Sequence, residues 1–75
     1  MDFSIFCKLD ELVANYTPSY IFGNNTEELC LQLIADITEE HKERLLNEFD
    51  LVIPQHIIFP HTYENGRLIV NFKEV

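Results

Sequence analysis

Residues 57–72 read IIFPHTYENGRLIVNF, and this stretch decides the fold. Asn65-Gly66 sits between two runs rich in β-branched and aromatic residues. That dipeptide is the strongest short hairpin signal, because a type I′ turn needs positive φ at both central positions. A two-residue loop pairs Glu64 with Arg67, which carry opposite charges. The same register sets Tyr63 against Leu68, His61 against Val70 and Phe59 against Phe72. One face is then largely apolar. The other carries Pro60, Thr62 and Asn71, with Ile69 as its apolar exception. Turn chemistry and facial alternation agree, so a hairpin is expected over Ile57–Tyr63 and Arg67–Phe72.

Two strands alone are marginal in water. The hairpin must pack on helices, gain a third strand or pair with another chain. Tyr20–Phe22 and Leu51–Ile53 are the candidate third strands; the latter run is apolar and stops at Pro54. Pro60 cannot donate to a ladder and weakens one edge. An open second edge would allow a homodimer by strand addition, with Ile69 and Asn71 as the expected dimer or edge-strand residues.

Upstream, Ile5, Phe6, Leu9, Leu12, Val13 and Tyr16 recur at helical spacing and fall within about 120° of one another. Asp2 or Ser4 can cap this helix, and Thr17-Pro18 ends it, since the residue before proline disfavours the helical region. Ser19–Asn25 follows as a connection, with Gly23-Asn24-Asn25 as a turn signal.

A second helix is expected from Asn25 or Thr26 to about Asp50. Asn25 followed by Glu28 fits a capping box, and Glu27 and Glu28 suit a first turn. Cys30, Leu33, Ile34 and Ile37 form one apolar face; Leu45, Leu46 and Phe49 form another, rotated by roughly 100°. A straight helix cannot turn both to one small core. Either it breaks near Ile37-Thr38, with Thr38 as a new cap, or one face serves a partner. The expected fold is therefore α+β: an N-terminal amphipathic helix, a long or broken acidic second helix, and a C-terminal β-hairpin packed on both, all in one domain of 75 residues.

Thirteen Asp and Glu stand against five Lys and Arg, for a formal charge of −8. That field repels nucleic acid and anionic membranes and attracts basic proteins. Direct nucleic-acid binding and membrane binding are not expected. Met1-Asp2-Phe3 lacks a basic leader region, and no apolar run reaches the roughly 18 residues of a membrane span. Cys7 and Cys30 are too few for a disulfide framework. These features together point to the cytoplasm.

No catalytic or metal constellation is legible. His41, His56 and His61 share no ligand spacing. Cys7 has no oxyanion signature beside it, and Cys30 reads as core filler. The paired carboxylates Asp10-Glu11, Glu27-Glu28 and Glu39-Glu40 lie in polar stretches where they stay solvated. No enzyme activity, metal or cofactor is expected.

The expected function is binding. Asp36, Glu39, Glu40 and Glu43 recur along one face of the second helix, with Leu45, Leu46 and Phe49 as apolar anchors. Such a stripe suits a basic partner that itself grips nucleic acid, so the chain would act as an inhibitor and DNA mimic. Phage host-takeover factors, anti-defence proteins and immunity proteins combine this size and charge. Charge density limits the mimicry. A helix over residues 27–50 spans about 36 Å, over which duplex DNA carries about 21 phosphates. This stretch carries eight acids against Lys42 and Arg44, roughly a third of the duplex density. The alternative is a homodimeric adaptor or accessory module with an apolar contact.

Overall fold

In the computed structural model, which describes residues 2–75, two helices pack on one face of a five-stranded antiparallel sheet. The elements run α1 (Phe3–Ala14), β1 (Tyr20–Asn25), β2 (Cys30–Asp36), α2 (Glu39–Val52), β3 (Ile57–Ile58), β4 (His61–Glu64) and β5 (Arg67–Glu74). The order across the sheet is β1-β2-β5, with β3 and β4 sharing the far side of β5. The class is α+β, as the residue pattern predicts.

The hairpin register is the expected one: Glu64 faces Arg67, Tyr63 faces Leu68 and His61 faces Val70. Asn65 and Gly66 take φ of 53° and 79°, the signs a type I′ turn needs. Pro60 splits the outer strand into β3 and β4 without a slip. Ile57 and Ile58 pair with Glu74 and Lys73 in the same phase, and the Asn71 N–H still donates to the Pro60 carbonyl at 3.0 Å.

The expected second helix is corrected in its first half. Residues 30–36 form β2, which pairs with β1 and β5 on its two sides. The apolar residues there satisfy both periods. Cys30, Leu33, Ile34 and Ile37 have helical spacing, while Leu31, Leu33, Ala35 and Ile37 alternate, and long-range pairing selects the second. Asn25 does cap, but it caps a turn: its Oδ1 accepts from the Glu27 and Glu28 N–H groups at 3.1 and 3.2 Å. Leu29, at φ 55°, then reverses the chain into β2. The break falls where expected. Thr38 is the cap of α2 and its hydroxyl accepts from the His41 N–H at 3.3 Å.

Leu51–Ile53 is not a strand. Leu51 and Val52 complete α2, and Ile53 is extended at ψ 127° because Pro54 follows it. The third strand is β1, which extends Tyr20–Phe22 through the expected turn residues to Asn25. Helix α1 matches its periodicity: Leu9 and Val13 are buried, and Ile5, Leu12 and Tyr16 pack against the core. The Asp2 carboxylate accepts from the Ser4 N–H at 3.0 Å.

The core lies between the helices and the inner sheet face. Leu33 and Ala35 of β2 and Leu68, Val70 and Phe72 of β5 meet Leu9, Val13, Leu45 and Phe49. Each fully buried side chain of this size contributes roughly 1.5–3 kcal/mol. Phe49 is the aromatic hub, edge-on to Phe59 at 6.0 Å and to Phe72 at 5.6 Å between ring centroids.

Candidate interaction surface

Strand alternation fixes two faces. Inner positions are consumed by the core, while outer positions face away from the helices, and among the described residues no element covers them. Ile21 on β1 faces Ile34 on β2, which faces Ile69 on β5, which faces Thr62 on β4. Three isoleucines therefore stand in one row across neighbouring strands. Ile21 is 64% exposed, and Ile34 and Ile69 are half-buried by their neighbours.

Polar rows flank this stripe. On one side Asp36 faces Arg67, which faces Glu64, with Arg67 Nε 3.2 Å from Asp36 Oδ1. On the other side Gln32 faces Asn71. The Asn71 side-chain oxygen accepts from Gln32 at 3.0 Å and from Asn25 at 3.4 Å. A shallow depression of about 260 Å³, lined by Tyr20, Ile21, Ile34, Asp36 and Arg67, opens on this face. An apolar centre with a hydrogen-bonding and charged rim is the layout of a protein-contact patch.

The residues expected to bind a partner are dispersed. Leu45 and Phe49 are fully buried, so neither can anchor a partner. The reason is that α2 has only one apolar face, and the sheet takes it. Leu46 is half-buried against the core. Asp36 is on the sheet rather than on the helical stripe, and its other oxygen accepts from the Ser19 hydroxyl at 3.1 Å. Glu39, Glu40 and Glu43 are exposed on α2, but Glu40 pairs with Arg44 at 3.2 Å. Lys42 approaches Glu43 at 3.6 Å and lies 5.0 Å from the centre of the Tyr63 ring. With 14 residues, α2 spans about 21 Å, much less than the roughly 36 Å expected of a helix over residues 27–50.

Ile69 and Asn71 are not edge residues. Strand β5 is paired on both sides, so each lies mid-sheet on the outer face. The edge strands are β1 on one side and the split β3–β4 on the other. Ile21 and Ile34 were not legible as contact residues, because the helical reading of 30–36 hides the cross-strand row. The alternation from Leu31 to Ile37 is the signal that reveals it.

A second opening of about 820 Å³ lies at the end of the sandwich, lined among others by Phe3, Phe6, Leu29, Leu31 and Phe72. The Lys73–Glu28 ion pair at its rim measures 2.6 Å. That contact raises the Lys73 pKa above the usual lysine range. Elsewhere, the Asp10 carboxylate accepts from the Tyr20 hydroxyl at 2.7 Å and raises its pKa. Glu48 raises that of Tyr16 in the same way. The Tyr16 ring also lies 5.4 Å from that of His41. Among the described residues no three of His, Cys, Asp and Glu converge as metal ligands. Cys7 and Cys30 are free thiols; Cys30 faces outward, with Sγ 3.9 Å from Asn71 Oδ1, and is not core filler. No described helix is long and apolar enough to cross a membrane.

The chain matches no protein-family model, no curated protein and no solved structure.

Proposed function

We propose that this chain is a protein-binding module whose contact surface is the outer face of its sheet, and whose partner is a basic protein. The single observation that carries this reading is the in-register row Ile21–Ile34–Ile69 with its charged and amide rims. Antiparallel sheets commonly leave one face to solvent, but that face is then polar. Here its middle is isoleucine. The charge of −8 steers a cationic partner toward encounter and gives the association a salt-dependent rate.

A second reading, the acidic blocker, rests on Glu39, Glu40 and Glu43, which are exposed at the start of α2. Carboxylates there also complement the helix dipole, so the fold accounts for Glu39 and Glu40 without a partner. The two surfaces face opposite sides of the molecule and can be tested apart.

The test is affinity capture from source-cell lysate with three proteins: wild type, Ile69→Asp, and Glu39, Glu40 and Glu43 all changed to Gln. Captured proteins are washed at low and high salt and identified by mass spectrometry. The sheet-face reading expects a basic partner retained by the triple variant and lost by Ile69→Asp. Retention by folded Ile69→Asp overturns it; loss from the triple variant alone installs the acidic blocker instead.

A further inference from the structure

The two edges of the sheet are treated differently. The β3–β4 edge is broken into strands of two and four residues by Pro60, a common way to prevent further pairing. The β1 edge is a continuous six-residue strand, Tyr20–Asn25, with no proline and no charged residue. In a chain of charge −8, an uncharged open edge lets two copies approach with less repulsion than a charged one would.

Hydrogen-bond phase identifies the free groups. The Asp36 N–H donates to the Ser19 carbonyl at 2.9 Å, so Ser19, Ile21, Gly23 and Asn25 direct their main-chain groups to β2. Tyr20, Phe22 and Asn24 direct theirs outward. None of those outward groups has a partner among the described residues. An antiparallel twin of β1, with its twofold axis at Phe22, satisfies all of them: Tyr20 faces the partner's Asn24, and Phe22 faces the partner's Phe22.

Side chains agree with that register. It sets Ile21 across from the partner's Gly23 on the outer face. Gly23 has no positive φ, and a Cβ built there meets nothing within 4 Å. The fold of one chain therefore gives no reason for glycine mid-strand, where it weakens a sheet unless another chain approaches closely. Ile21 is 64% exposed and fills that space.

We propose that two copies of this chain pair through their β1 strands into one continuous sheet, with Ile21 of each copy seated over Gly23 of the other. The dimer doubles the isoleucine row and so deepens the proposed function; it shares Ile21 with that row but rests on the β1 edge and Gly23, not on Ile34 and Ile69. Its salt response is also of opposite sign. Screening weakens the repulsion between two acidic copies, so added salt tightens the dimer while it weakens capture of a basic partner.

The experiment is sedimentation equilibrium over on the order of a hundredfold range of concentration, paired with residue-resolved amide exchange. The expected result is a mass rising from 8.8 kDa toward twice that value. Tyr20, Phe22 and Asn24 amides gain protection with concentration, while Ile21 and Gly23 are protected throughout. Asn24→Pro removes an outward donor and leaves the β2 ladder intact, so it returns the mass to one chain; Ile21→Asp, at an exposed position, does the same. Ile69→Asp keeps the dimer, which separates this inference from the partner-binding reading. A mass of one chain at all concentrations overturns the proposal. So does a dimer in which those three amides exchange as in the monomer.

Discussion

The Tyr63 hydroxyl donates to the Ile37 carbonyl oxygen at 2.7 Å, tying the hairpin to the residue where β2 gives way to α2. Beside it the Ile37 N–H donates to the Gly66 carbonyl at 2.9 Å. The point at which the chain changes from strand to helix is thus held from 26 residues away. Tyr63→Phe keeps the ring and deletes the donor. It is expected to cost about 1 kcal/mol, the net worth of such a bond, read as a lower urea midpoint with an unchanged slope. An unchanged midpoint would mean that water replaces the hydroxyl at no cost.

Phe49 and Leu51 lie two positions apart on α2 with opposite fates: the first is fully buried and the second is 84% exposed. Phe49→Ala removes the hub of the aromatic packing and should destabilise by about 3–5 kcal/mol, enough to unfold a marginal small domain. Leu51→Ala should fall within about 0.5 kcal/mol of wild type. Circular dichroism melts of the two variants check the placement of the helix; equal effects would show that α2 is rotated from the position described.

Leu29 carries φ 55° and is 88% exposed. A side chain in the left-handed region costs roughly 1–2 kcal/mol, and this one recovers little by packing. Leu29→Gly relieves that cost but gives the unfolded chain more freedom, worth about 0.5–1 kcal/mol against it, so a net gain of about 0.5–1 kcal/mol is expected, measured as a higher melting temperature. A loss on substitution would show that Leu29 packs usefully at the mouth of the cleft it shares with Phe3.

Alkali should destabilise the fold through three groups. Tyr20 beside Asp10, Tyr16 beside Glu48 and Lys73 beside Glu28 all have raised pKa values. A raised folded-state pKa means that the folded chain holds its proton more tightly than the unfolded chain does. The stabilisation is complete below about pH 10, the ordinary range of these groups, and is lost as pH rises through the folded values. Thermal melts between neutral pH and strong alkali should show a falling midpoint above about pH 10, with a smaller fall in Asp10→Asn. The N-terminal cap works in the opposite sense. The Asp2 pKa is lowered, first by the Ser4 backbone N–H. Its contribution is present above about pH 4 and lost in acid.

Local chemistry decided much of this protein from sequence. Asn65-Gly66 with its flanking alternation determined the hairpin and its register, because the turn type and the pleat admit only one pairing. Thr38 marked the start of α2, and the spacing from Ile5 to Tyr16 marked the buried face of α1. The far end of α2 was not legible, since Leu51–Ile53 reads as a strand stopping at Pro54 while Leu51 and Val52 belong to the helix. Tertiary structure alone decided residues 30–37, whose apolar positions fit a helix and a strand equally well. What chooses between them is β5, whose Phe72 faces Leu31 from 41 residues away in the chain, and no local pattern reports a partner at that distance. The same choice moved the contact surface. Once β2 sits between β1 and β5, Leu45 and Phe49 are spent in the core, Ile69 moves from an expected edge to mid-sheet, and Ile21, Ile34 and Ile69 line up on the open face.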